Sequence, residues 1–151
     1  MKTDLVRFLL PLSALIAAAA LEEAFSGVGA AGLPWLVTAA AVFAELRPRS
    51  EAVFFALLAG AAEDALSSLP PGTTSCFLAL AALALSSLPE KRFTPLAVYP
   101  LYQLWLAVWT DLAAGELWLR VPLSALLAAA ALFTVRPLLA VLERRLVADA
   151  R

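Results

Sequence analysis

Residues Ala52 to Gly72 read AVFFALLAGAAEDALSSLPPG. Eleven apolar or small residues run up to two adjacent carboxylates, Glu63 and Asp64, and two prolines and a glycine follow within eight positions. Ala52, Ala56, Gly60 and Asp64 recur every fourth residue, so on a helix they share one narrow face. Small residues on such a face let a second backbone approach closely. The face ends in a carboxylate, and a carboxylate at membrane depth is costly enough to demand protein, water or a partner beside it. Asp64 therefore reads either as an orienting group, hydrogen-bonded to the next loop or to a partner, or as an acid at headgroup level. Glu63 reads as headgroup-level acid. Pro70 and Pro71 forbid a continued helix, and Gly72 can take the positive φ that a tight turn needs. Ser67, Ser68, Thr73, Thr74 and Ser75 are placed to cap the backbone exposed at that break.

The rest of the 151-residue chain extends the same pattern. Apolar residues make up 63% of it and charged residues 15%, against about a quarter charged in an average soluble domain. Mean hydropathy is +0.88. A water-soluble domain of this size leaves too much of its surface exposed to hide that much apolar matter. Six continuous apolar runs, about 5–21, 28–44, 52–69, 74–88, 95–114 and 121–142, predict an all-α polytopic membrane protein, one integral membrane domain over 1–151 with six transmembrane helices. The runs are continuous rather than alternating, which argues against a transmembrane β-barrel.

Charge orients this expectation. Lys2, Arg7, Arg47, Arg49, Lys91, Arg92, Arg136, Arg144, Arg145 and Arg151 fall on one side of a six-span topology and Arg120 alone on the other. The positive-inside rule then puts both termini in the cytoplasm. Glu22, Glu23, Glu63, Asp64, Asp111 and Glu116 make the outer face acidic, with Asp111 and Glu116 in reach of Arg120. Glu45 with Arg47 and Arg49, and Glu143 with Arg144 and Arg145, read as inner-surface charges, the basic ones placed to contact anionic lipid. The first run, with Lys2 and Arg7 ahead of an apolar stretch and Ala17 to Ala20, also fits a cleavable signal peptide, which would leave five spans.

Residue counts exclude several chemistries. There is no histidine, so imidazole catalysis and histidine-bound metals are out. The single cysteine, Cys76, cannot form a disulfide within the chain and reads as a small buried residue. A net charge of −1 gives no nucleic-acid signature. No catalytic, cofactor-binding or metal-ligating constellation is expected.

The spacing of Gly60, Asp64 and Gly72 at the end of a third apolar run resembles the MreD family of bacterial cell-shape proteins. Chain length, number of runs and the Pro34-Trp35-Leu36 start of the second run are similar too. Pro70–Pro71 stand where the family commonly has a glycine, and Glu63 stands where an apolar residue is usual. The resemblance implies a non-enzymatic, multi-pass component of the bacterial inner membrane. It also implies an MreC-like bitopic partner and, through that partner, the RodA glycosyltransferase, its transpeptidase and MreB filaments, in the machinery directing peptidoglycan synthesis and cell shape. The fold it implies looks like the six-helix substrate-binding subunits of ECF vitamin transporters.

In the fifth run, Tyr99, Tyr102, Trp105 and Trp109 are spaced by three or four and share one face. The face reads as lipid-facing or interface-belt packing, or as the lining of a ligand pocket or a docking groove, with Trp105 too deep for the belt. Pro100 should kink this helix. The partner-binding and structural residues expected are thus Ala52, Ala56, Gly60, Asp64, Gly72, Trp105 and Trp109. The alternative function is an ECF-type vitamin-binding subunit, whose site would draw on Gln103, Trp105, Asp64, Thr73 and Thr74. A channel or ion-coupled transporter is disfavoured because the runs carry few charges to serve as stepping stones.

Overall fold

The computed structural model describes residues 2–25, 35–87, 95–110 and a set of positions between 121 and 144. All regular structure among them is helical: α1 Lys2–Phe25, α2 Trp35–Leu46, α3 Arg49–Leu66, α4 Thr73–Ser87 and α5 Pro95–Trp109, with further helical positions from 121 onward.

α2 is the hub. Nine consecutive residues, Leu36 to Ala44, are buried, and a helix that is apolar all round belongs inside a bundle. It touches α1, α3, α4 and α5. Proline sets its exit: Pro48 disfavours helix at the residue before it, and the chain turns directly into α3 with Pro48 as N-cap at φ −62° and ψ 153°. Glu51, in the first turn of α3, suits the positive end of that helix and reaches back 3.5 Å to buried Arg47. Glu45 pairs with Arg136 at this same end. Beside it an aromatic cluster ties α1 to α2 and α3, with Phe8 to Phe55 at 5.5 Å and Phe43 to Phe55 at 6.1 Å between ring centroids.

α3 and α4 form the tightest pair. Ala52, Ala56, Ala59 and Gly60 are buried on one side of α3. A Cβ placed on Gly60 would lie 2.3 Å from the Cα and 2.5 Å from the N of Ser75. Two backbones are therefore in contact here, and only glycine permits it.

The six-span membrane architecture does not hold. No described helix is long and apolar enough to cross a membrane. α2 has 12 residues and α4 and α5 have 15 each, which at 1.5 Å per residue is about 18 to 23 Å against a hydrocarbon core of about 30 Å. α3 has 18 residues but carries Arg49, Glu51, Glu63 and Asp64, and it stops at Leu66 rather than continuing to Leu69. α1 is longer but is charged at both ends, with Lys2, Asp4 and Arg7 at one and Glu22 and Glu23 at the other. Continuous apolar runs in the sequence concealed these breaks. The assignment of both termini to the cytoplasm and the likeness to a six-helix ECF subunit fold rested on those spans and fall with them. Residues 28–34 and 111–114 of the expected spans, and Asp111, Glu116 and Arg120, lie outside the described residues.

Candidate functional site

The polar centre of the molecule lies at the end of the bundle where α3 gives way to α4. Ser67 closes α3, donating its N–H to the carbonyl of Glu63. The chain then passes Pro70 and Pro71 and turns at Gly72, whose φ of +92° lies in the left-handed region. No atom crowds a Cβ at Gly72, so the requirement for glycine there is purely conformational.

A new helix exposes the N–H groups of its first turn, which need acceptors. Here nearly all go to one side chain. Asp64 Oδ2 accepts from Gly72 N at 2.9 Å and Ser75 N at 3.3 Å, and from Ser75 Oγ at 3.1 Å. Its Oδ1 accepts from Thr74 N at 2.8 Å. The remaining donor, Thr73 N, goes to the Pro70 carbonyl at 3.2 Å, as does Thr73 Oγ1 at 2.7 Å. Cys76 N then makes the first bond inside the helix, to the carbonyl of Gly72. Every backbone donor from Gly72 to Cys76 is accounted for. Asp64 is an N-cap supplied from the preceding helix, and the helix dipole adds to the favourable field on its charge. Burial opposes ionisation of Asp64, but the bonds donated by Thr74 and Ser75 outweigh it and hold the carboxyl below its ordinary range.

Around this clamp a second set of polar groups ties the other helices together. Buried Thr74 places its hydroxyl 3.3 Å from the Tyr102 hydroxyl of α5. Trp105 Nε1 donates to the Thr73 carbonyl at 3.2 Å. Tyr99 hydrogen-bonds Thr38 of α2. The Phe77 ring of α4 lies tilted against those of Tyr102 and Trp105, at 5.3 and 5.9 Å between centroids. Glu22 of α1 accepts from the Leu36 N–H at 3.2 Å and hydrogen-bonds Glu63 of α3. Burial, then the Glu22 contact and the Asp64 charge, push Glu63 up to about 8, with Tyr102 pulling the other way. Burial is also the main cause that raises Glu22. It raises the Tyr99 and Tyr102 phenols as well.

Asp64, Gly60 and Gly72 thus come together in one feature, and Trp105 joins it. Ala52 and Ala56 lie on the same face of α3, buried within the chain's own bundle. Trp109 stands apart on the exterior, its ring 6.0 Å from that of Trp105. The aromatic face of α5 is divided: Tyr99 and Tyr102 belong to the core, because α5 packs that side on α2 and α4, and only Trp109 is exposed. α5 is helical through Pro100. Cys76 is exposed rather than buried, because it lies on the outward side of α4 with Leu80.

Sequence reasoning missed Glu22 and Glu63 as a pair. Nothing in the order of residues shows that the end of α1 lies across α3. Among the described residues, no group of three or more acidic or sulfur side chains is arranged to hold a metal ion. A cleft between α2, α4 and α5 is lined by Ala40, Ala44, Leu78, Ala82, Leu85 and Val98 and offers no polar group to a ligand.

In comparisons with known proteins, no family model matches the chain, and neither does any curated protein or solved structure.

Proposed function

We propose that the chain is a non-catalytic assembly component of the MreD kind. In this reading it is located at the bacterial inner membrane and binds an MreC-like bitopic partner. Through that partner it acts with RodA, its transpeptidase and MreB filaments, helping to direct peptidoglycan synthesis and cell shape. One observation carries the reading. Gly60, Asp64 and Gly72, the residues on which the family resemblance rests, converge on a single clamp at the start of α4. Each has a separate physical reason to be the residue it is: close backbone contact, capping charge and positive φ.

The exterior supports a membrane setting. Large apolar side chains are exposed on α1, α3, α4 and α5: Phe8 and Ile16 on α1, Phe54 on α3, Leu80 on α4, and Val108 (77% exposed) on α5. Exposed apolar surface that gathers into patches marks where a protein meets a membrane or a partner. An apolar medium or partner helices would cover it.

The test is a pull-down of the tagged full-length chain from its native membranes in a gentle detergent, with mass spectrometry of the proteins recovered. The expected result is an MreC-like protein with RodA or the transpeptidase. Recovery of an ABC-type ATPase pair and its coupling subunit, with none of those, would replace this reading with the vitamin-transporter one.

A further inference from the structure

Glu63, the charge that stands where the family resemblance leads one to expect an apolar residue, lies in hydrogen-bond contact with Glu22 of α1. Glu63 is only 9% exposed. Its Oε2 is buried and has no hydrogen-bond partner among the described residues, and the same is true of Trp35 Nε1 and Ser67 Oγ at this end of the bundle. The groups facing the pair come from every neighbouring element. α3 supplies the charge of Asp64, and α5 supplies Tyr102, with Tyr99 behind it. α2 supplies the Leu36 N–H, and α4 the Thr74 hydroxyl through Tyr102. No cation figures among the described groups acting on either carboxyl.

Two carboxyl groups in contact, one of them buried, do not readily both ionise, because burial and the neighbouring negative charge each penalise the second charge. One proton between them turns repulsion into a hydrogen bond. We propose that Glu22 and Glu63 hold a single shared proton at neutral pH, and that this proton is a latch fastening α1 to the α2–α3 end of the bundle, so that its loss releases α1. Glu63 is the donor. Glu22 already receives the Leu36 N–H, which favours its charged form, whereas Glu63 has a bare oxygen and the Asp64 charge beside it. α1 is the element that moves, because among the described helices it packs on α2 and α3 alone, while α3 is locked to α4 through Asp64 and Gly60. The raised proton affinity of Glu63 places release a little above neutral pH. The latch does not depend on the identity of any partner.

The test uses the purified full chain in detergent, titrated from about pH 5 to about pH 10. Infrared spectroscopy follows the carbonyl stretch of protonated carboxylic acid, and hydrogen exchange with mass spectrometry follows the α1 amides. The expected result is a protonated-carboxyl band at pH 7 that disappears near pH 8. Over the same interval α1 protection, corrected for the intrinsic pH dependence of exchange, should fall about tenfold per pH unit. Glu63→Gln supplies the same hydrogen bond from an amide that has no proton to lose. It should abolish the band and keep α1 protected throughout, whereas Glu22→Gln, which leaves Glu63 buried beside Asp64, should keep the band. Absence of the band from the native chain at neutral pH overturns the proposal by itself, whether or not the variants fold. So does a pH-dependent release of α1 that persists unchanged in Glu63→Gln.

Discussion

Replacing Asp64 with alanine should remove more stability than any other single side-chain truncation at the α3–α4 junction. The carboxylate receives three backbone N–H groups and one hydroxyl, from Gly72, Thr74 and Ser75, at 2.8 to 3.3 Å. Losing an ordinary N-cap costs about 1 kcal/mol, with about 2 at the upper end. Here the loss is larger, because Thr74 is fully buried and its N–H gains no water when the carboxylate is gone. A buried donor left without an acceptor costs about 1–3 kcal/mol. Counting one such donor fully, and Gly72 and Ser75 as partly rehydrated, Asp64→Ala should destabilise by about 3–5 kcal/mol. That is a large part of the total stability of about 5–15 kcal/mol usual for a domain. Asp64→Asn keeps one acceptor oxygen and turns an NH₂ toward the remaining donors, so it should recover less than half of the loss. The measurement is equilibrium unfolding of the full chain in detergent, read by tryptophan fluorescence, with Trp105 reporting directly because it bonds the Thr73 carbonyl in the same turn. A loss below about 1 kcal/mol for Asp64→Ala would refute the idea that this carboxylate holds the start of α4.

Three further outcomes follow from the same geometry. Gly60→Ala puts a methyl group against the backbone of Ser75, so α3 and α4 must separate, at about 1–3 kcal/mol; Gly60→Leu should prevent the hairpin from forming at all, seen as loss of the folded species on size exclusion rather than as loss of a partner alone. Gly72→Ala meets no steric neighbour but must hold φ near +92°, and should cost about 1–2 kcal/mol in thermal unfolding. Stability should rise and then fall with pH: Asp64, lowered in the folded state, contributes stability that is lost as pH drops through its folded value, whereas Glu63, raised to about 8, contributes stability that is full below about 4.5 and is lost as pH climbs toward 8. Maximum stability should therefore lie in the mildly acid range, and Glu63→Gln should flatten the alkaline side alone.

How much of this could be read from the sequence depended on how local the cause was. The helix break was plain, because Pro70, Pro71 and Gly72 act through backbone sterics within a few residues. The face of Ala52, Ala56 and Gly60 was also plain, since period four needs no tertiary information. What covers that face was not, because a small-residue stripe looks the same whether it meets α4 or another protein. The reading of apolar runs as membrane spans failed for a related reason. An apolar run such as 74–88 records only that its residues avoid water, and a buried bundle helix and a membrane span satisfy that alike. Glu63 was opaque because its partner sits 41 positions away on α1. Tyr99 and Tyr102 were opaque because an aromatic face suits lipid, a groove or a core equally well.

The internal use of the Gly60 face constrains how the proposed assembly role can work. A partner's helix cannot lie against Ala52, Ala56 and Gly60 while Ser75 occupies the space in front of Gly60. Any effect of substitutions there on partner recovery must pass through the fold of the α3–α4 hairpin. A surface that reads a partner directly has to be drawn from side chains the bundle leaves outside. Of the residues expected to bind a partner, only Trp109 meets that condition among the described residues, and it continues an outward stripe with Leu101, Leu104 and Val108 on α5. The two classes can be told apart by experiment. Trp109→Ala should leave the unfolding curve close to native, because the side chain is already about half exposed, and any loss of partner in that variant belongs to the interface. Loss of partner with Gly60→Ala should appear only together with loss of stability. If Gly60→Ala abolished recovery at full native stability, the hairpin would have to open on binding, and the buried face would be an interface after all.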